Sequence, residues 1–257
     1  MYLGFEYWRS TLAGALAAGV LGLCAGPAQS GGGSILIGIE VNGHVPETAR
    51  RRLARYLEDE RCVAEIHFTG ADPEMALVFQ PGIPEAGEPP VLLAVNRHGS
   101  LPAPAWITRR TAGVRHIAEL QGRDLATVAG SRDPLGAMLP LAALEQAGVS
   151  PTSDQLYEAG DYSSALALLL HNNAHAAVSE LGFVAPFLDK NDLVVTWAGK
   201  PVVAAGWYRR EGWTEGAAVC ELALARIQRG DDRQMFAAFP QWVEGFVWQD
   251  SQGLEVQ

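Results

Sequence analysis

The chain has 257 residues, 48% of them apolar and 19% charged, with a formal net charge of −10. This is enough apolar material for a packed core in one large domain or two lobes of roughly 100 residues each. The acidic balance excludes a general nucleic-acid binder.

Residues 1–28 read as an export signal. The run Leu12–Ala25 is apolar and small-residued, ends at Gly26-Pro27, and falls short of the roughly 20 residues that a membrane span needs. The expected cut follows Ala28, which places the mature chain in the periplasm. An uncleaved anchor, or a lipid anchor on Cys24, is the alternative; Leu23 stands where a lipoprotein signal usually has Gly or Ala. Residues 29–34 form a glycine-rich spacer.

Ile35–Val41 is a continuous apolar run, the pattern of a strand buried on both faces. Asn42-Gly43-His44 breaks it. Pro46 and Glu47 then open a helix to about Glu60, with Arg50, Arg51, Arg52 and Arg55 as a solvated face. Val63–Phe68 and Met75–Phe79 read as strands. Residues 80–104 are rich in Pro and Gly and read as loop, apart from a strand at Val91–Val95. Ala105–Thr108 is a further short strand.

The stretch Val114–Ala177 is the most ordered in its pattern. A short helix at Ile117–Leu120 leads to a strand at Asp124–Ala129, the break Gly130–Pro134, and a helix at Leu135–Gln146. A strand and a helix from about Ser164 to Leu170 follow. A turn then leads to the strand Ala174–Val178. Strands alternating with helices predict a parallel sheet. Ligands of such sheets bind at the carboxyl ends of the strands, beside helix N-termini. The loops Gly130–Pro134 and Ala159–Ser163 are therefore the candidate ligand-holding segments. Beyond them, Leu193–Trp197 and Val202–Trp207 read as strands and Thr214–Gln228 as an amphipathic helix. The aromatic tail of Phe239, Trp242, Phe246 and Trp248 reads as packing anchors.

The chemistry-bearing residues match no enzyme template. No nucleophile elbow, Gly-rich nucleotide loop or metal-ligand spacing is present in the sequence. The reading is a binding protein without catalytic residues, metal or cofactor. Cys24, Cys62 and Cys220 lack zinc-site spacing. Cys62 and Cys220 are either a disulfide, if the compartment is oxidising, or two buried thiols.

The order of elements resembles the periplasmic binding proteins of ABC importers, specifically the phosphonate, phosphite and phosphate binders. The resemblance runs from Gly113 to Trp207. Gly113-Val-Arg-His-Ile-Ala-Glu-Leu-Gln-Gly-Arg-Asp-Leu-Ala resembles the segment opening the second lobe. Gly136-Ala-Met-Leu-Pro-Leu-Ala-Ala-Leu-Glu-Gln-Ala-Gly-Val-Ser-Pro resembles the helix after the ligand loop. Ala165-Leu-Ala-Leu-Leu-Leu-His-Asn-Asn-Ala-His-Ala-Ala-Val resembles the next helix, turn and strand. Lys200-Pro201-Val202 sits at the return crossing, and Phe239–Val247 resembles the C-terminal segment.

The resemblance implies an α/β, two-lobed periplasmic-binding-protein-like fold of type II, with two mixed sheets flanked by helices and a hinge. Lobe one would comprise residues 35–110 and 201–257, and lobe two residues 111–200. A small polar solute, with a phosphonate-like oxyanion as one candidate, would be captured in the interlobe cleft by hinge closure. The partner would be an ABC permease. The alternative is a sensory or accessory module serving a membrane sensor kinase.

The resemblance also implies a ligand set. Asn42 and His44 follow the first strand. Ser131, Arg132 and Asp133 come from the first candidate loop, Tyr162 and Ser163 from the second, and Ser179 from the end of the strand after it. The sequence departs from the family pattern here. Hydroxyl residues usually stand at the helix N-terminus, whereas this chain has Asp133-Pro134-Leu135, an N-cap and N1 pair that satisfies its own donors. Arg132 offers a guanidinium fork for an anion. Tyr162 stands in place of a His, and His175 in place of an Asp.

Overall fold

The computed structural model describes residues 34–40, 44–68, 74–84, 89–129 and 133–252. Asn42, Ser131, Arg132 and the proposed export signal lie outside these residues.

Two sheets carry the structure. The first contains β1 (Ile35–Ile39), β2 (Ala64–His67), β3 (Leu77–Pro81), β4 (Leu92–Val95), β10 (Ala205–Arg209) and β11 (Gly245–Trp248), in the order β11-β4-β10-β3-β1-β2. β1 runs parallel to β2 and β3, and β10 and β11 run antiparallel to their neighbours. The second contains β5 (Pro104–Arg109), β6 (Leu125–Val128), β7 (Leu156–Ala159), β8 (Ala176–Glu180) and β9 (Leu193–Ala198), in the order β7-β6-β8-β5-β9. β6 is parallel to β7 and β8, and β5 is antiparallel to β8 and β9. Both sheets are mixed, as the fold reading expects.

Apolar periodicity explains the packing. On α1 (Glu47–Asp59), Ala49, Leu53 and Leu57 are four residues apart and all buried, so one stripe faces the first sheet. The arginines of α1 lie outside that stripe. Arg51 pairs with Glu47 at 2.9 Å and Arg52 with Asp232 at 2.7 Å, and Arg50 lies over the Phe68 ring. β4, β6 and β8 are buried along their whole length, which matches their runs of apolar or small residues, Glu180 at the end of β8 apart. Phe79, Trp207, Phe239 and Phe246 pack edge to face behind the first sheet, with Phe79 and Phe239 centroids 5.0 Å apart.

The chain passes between the sheets twice, from β4 to β5 and from β9 to β10. The two crossings are tied together: Val202 N–H donates to the Pro102 carbonyl at 3.0 Å, and Gly199 N–H to the Pro104 carbonyl at 2.8 Å. β5 belongs to the second sheet. The first crossing therefore lies at residues 96–103, upstream of the boundary at residue 110 that the sequence suggested. The strand expected at Ala105–Thr108 is β5, one residue longer at each end, with Pro104 tolerated at its first position.

Three further elements differ from expectation. β8 starts at Ala176 and reaches Glu180, two residues later than predicted at each end. α4 (Leu181–Leu188) was not predicted; it contains Gly182 and an internal Pro186, both poor helix formers. β11 pairs with β4 within the stretch read only as packing anchors.

A disulfide joins Cys62, after α1, to Cys220 on α5 (Ala218–Arg226), across 158 residues of sequence. Arg209 on β10 grips the buried Glu221 of α5 with two bonds, at 2.6 and 2.8 Å, and Trp213 Nε1 donates to the same carboxylate at 2.6 Å.

Candidate functional site

The carboxyl ends of β1, β3, β6 and β7 converge from the two sheets on one cleft of about 170 Å³. Glu40 and Pro81 enter it from the first sheet and Val128, Ala129, Gly160 and Asp161 from the second. The return crossing adds Ala204, and the segment before β11 adds Phe239, Gln241 and Trp242. This is where a twisted α/β sheet places its ligands, since strand ends and helix starts leave backbone groups free to bind.

Asp133 is the best-defined group in the cleft. It caps a continuous helical run: a π-helical turn at Pro134–Met138, followed by α2 (Leu139–Gln146). Pro134 at the first helical position has no N–H to lose and a fixed φ suited to the start. Asp133 Oδ1 accepts from Leu135 N–H at 2.9 Å and Gly136 N–H at 3.1 Å. Its Oδ2 accepts from the Tyr162 hydroxyl at 2.7 Å. A Cβ on Gly136 would stand 2.7 Å from the Val128 Cβ, so only glycine lets the helix start close against the end of β6. Burial pushes the Asp133 carboxyl up, while the bonds from Tyr162, Leu135 and Gly136 pull it down. Burial and the neighbouring Asp133 hold the Tyr162 phenol well above its usual value, so it stays a neutral donor.

The second helix start is bound across the cleft. α3 (Tyr162–Leu170) is capped by Asp161, whose Oδ1 accepts from Ser164 N–H at 2.7 Å. Gln241, in the segment leading to β11 of the first sheet, reaches over. Its Oε1 accepts from Ser163 N–H at 3.0 Å and its Nε2 donates to Asp161 Oδ2 at 3.1 Å. One side-chain amide thus satisfies a donor and an acceptor on the opposite lobe.

A third carboxylate lies at the hinge. Glu180 is completely buried between β8 and α4. Its Oε1 accepts from Asn96 Nδ2 at 2.9 Å and Ala103 N–H at 3.3 Å, and its Oε2 accepts from Phe183 N–H at 2.7 Å. Asn96 and Ala103 lie on the first crossing, so Glu180 fastens that crossing to the second lobe. Gly182 makes room for it: a Cβ there would stand 3.0 Å from both Asn96 Cγ and Glu180 Oε2.

The expected ligand residues separate into groups. Asp133 and Tyr162 line the cleft and touch each other. Ser163 is exposed at its rim and gives its N–H to Gln241. His44 is exposed and is not part of the cleft wall. Ser179 is completely buried within the second sheet, where its hydroxyl donates to the Glu180 carbonyl at 3.3 Å, and it does not reach the cleft. Asn42, Ser131 and Arg132 lie outside the described residues.

The expected ligand set lacks Glu40, Gln241 and the lining role of Phe239 and Trp242, and it lacks Asp161 although the loop Ala159–Ser163 was expected to hold ligand. Asp161 had a signal, as an N-cap residue before an apolar run. Phe239 and Trp242 are buried packing residues that also form a cavity wall, and packing was all their pattern expressed. Glu40 accepts from Gln80 Nε2 at 2.8 Å. The charged side chains that line the cleft among the described residues, Glu40, Asp133 and Asp161, are all carboxylates. Among the described residues, no group of His, Cys, Asp and Glu is arranged to hold a metal ion.

Comparison with known proteins matches this architecture. XAC2383 from Xanthomonas citri, in a structure bound to chloride ion, aligns with 86% of this chain and 94% of its own at a TM-score of 0.56 and 13% identity. A binding protein component of an ABC phosphonate transporter, PA3383 from Pseudomonas aeruginosa, aligns with 84% of this chain and 82% of its own at a TM-score of 0.55 and 9% identity. At such identities the likeness shows a shared two-lobed fold. No curated protein sequence matches the chain. The family model described as "ABC transporter, phosphonate, periplasmic substrate-binding protein" matches residues 86–252, well over half the chain, and the chain belongs to that family.

Proposed function

We propose that this chain is the exported solute-binding component of an ABC importer, and that it captures a small polar solute in the cleft between its lobes. The observation that carries this reading is the convergence of four strand ends and two helix starts on one cavity, between lobes joined by two hydrogen-bonded crossings. Closure about those crossings brings Gln241 onto the start of α3 and encloses the solute. Residues 1–28 direct export, and the Cys62–Cys220 disulfide suits an oxidising compartment.

The lining supports an uncharged or cationic polar solute over a phosphonate. Carboxylates face the cavity, and the α2 donors are already bound to Asp133. Arg132 is the one sequence-derived candidate for anchoring an anion. A sensory role is the second reading; the self-satisfied α2 start favours it over phosphonate import. Neighbouring genes for a permease and ATPase would support import, and a neighbouring sensor kinase gene the alternative.

A thermal-shift panel of amines, polyols, amino acids, sulfonates and phosphonates tests solute capture. A bound solute at a hundredfold excess over Kd adds about 2.7 kcal/mol and raises Tm. No shift with any solute counts against capture.

A further inference from the structure

The turn that carries Gln241 is held from behind by one side chain. Pro240–Val243 is a tight turn closed by Val243 N–H on the Pro240 carbonyl at 3.0 Å, with Gln241 and Trp242 at its central positions. Arg229 forks across the base of that turn. Its Nη2 donates to the Pro240 carbonyl and its Nε to the Val243 carbonyl, each at 2.8 Å. The Pro240 carbonyl thus accepts twice, which uses both of its lone pairs. The backbone joins the same grip: Arg229 N–H donates to the Glu244 carbonyl at 2.8 Å, and Gln228 bridges Gly245 at the start of β11. On the other side, Glu244 N–H donates to the Val95 carbonyl at 2.8 Å. The guanidinium lies over the Phe236 ring, 5.2 Å from its centroid. Burial lowers its pKa to about 10, so it stays charged at neutral pH and both of its bonds are charge-assisted.

Packing of the C-terminal segment does not by itself call for this fork. Val243 N–H already closes the turn, Glu244 and Gly245 are tied on either side, and Trp242 and Val243 are buried. The fork fixes the two carbonyls that bracket Gln241 and Trp242, the residues that reach the cleft. From that turn Gln241 bonds Ser163 N–H at 3.0 Å and Asp161 Oδ2 at 3.1 Å. A loose turn would have to lose backbone freedom to make these bonds, whereas a fixed one has lost it already. Arg229 itself does not line the cleft.

We propose that Arg229 is a positioning residue of the latch between the lobes: by holding the Pro240–Val243 turn it aims Gln241 at the start of α3 and favours the closed arrangement. This rests on the solute-capture reading above and names a residue that regulates closure in it.

The test reads the latch without any solute. Ser163 N–H is bonded to Gln241 across the cleft, whereas Ser164 N–H is bonded to Asp161 within its own helix start and serves as the internal reference. Exchange of both amides is followed by NMR in the full chain and in Arg229→Met, Arg229→Lys, Gln241→Ala and the double variant of Arg229→Met with Gln241→Ala. Methionine keeps an apolar stem over Phe236 and deletes the donors; lysine can reach one of the two carbonyls. Arg229→Met should speed Ser163 exchange relative to Ser164 by about fivefold, the size of one ordinary hydrogen bond. Arg229→Lys should speed it less. In the Gln241→Ala background Arg229→Met should add nothing at Ser163, although it still lowers the melting temperature. A merely structural arginine would lower the melting temperature and leave the Ser163-to-Ser164 ratio unchanged, and that result overturns the assignment. So does an equal further loss of protection in the Gln241→Ala background, or a parent chain whose Ser163 N–H is unprotected. If Arg229→Met does not fold, Arg229→Lys carries the same comparison. Failure of the solute panel would sink solute capture instead; the exchange comparison is made on the solute-free chain and stands apart from it.

Discussion

Removing the Tyr162 hydroxyl should cost stability in a pH-dependent way. Tyr162→Phe keeps the ring in place and deletes one bond, the 2.7 Å donation to Asp133 Oδ2. A hydrogen bond to a charged group contributes about 1.5–3 kcal/mol and one to a neutral group about 1 kcal/mol. The loss should therefore be about 2 kcal/mol where Asp133 is ionised and about 1 kcal/mol where it is protonated. The sign follows from linkage. The folded-state pKa of Asp133 lies above the ordinary 3.8, so the folded protein holds a proton that the unfolded chain releases, and this contribution is lost as pH rises through the folded value. Tyr162 pulls that value down, so without it the folded pKa rises further. The penalty should grow as pH rises. Urea denaturation of both proteins below the ordinary carboxylate value, at about pH 3.5, and at about pH 8 measures it. A penalty that is flat with pH, or larger in acid, would refute the view that Tyr162 supports a buried carboxylate.

Other perturbations give separate checks. Cys62→Ser with Cys220→Ser, or reduction, should lower unfolding free energy by about 2–5 kcal/mol in urea melts, since the bridge closes a loop of 158 residues. Glu180→Ala strands Asn96 and two backbone donors at the hinge, and should cost about 3 kcal/mol in the same assay. Gln241→Ala should leave folding nearly unchanged but weaken solute affinity about tenfold in calorimetry, because its bonds exist only between the lobes. Arg132→Ala should abolish binding of any anion that the parent chain holds; unchanged affinity would remove Arg132 from the site.

The sheets were legible where the chain is apolar in a simple period. β1, α1, β6 and α3 stand within a few residues of their predicted places, because each presents a clear buried run or stripe. Local signals failed where a breaker sits inside an element, as with Pro186 in α4, or where a residue serves two purposes, as with Phe239 and Trp242. The site was legible only in its helix starts. Asp133 and Tyr162 were found through capping and loop position, both local properties. Gln241 meets Asp161 only because the lobes fold toward each other, and nothing within a few residues of either position encodes that meeting. Ser179 shows the converse: its place at a strand end suggested the cleft, but the next residue, Glu180, reaches the hinge while Ser179 turns into the sheet.

The central claim, that a solute is held between the lobes, is tested most directly by hydrogen exchange with and without the solute that most raises Tm. A solute held there slows exchange at the start of α2, the start of α3 and the Phe239–Trp242 segment, and more weakly at the crossings. Slowing on another face of the molecule, or none at the cleft while Tm rises, would contradict it.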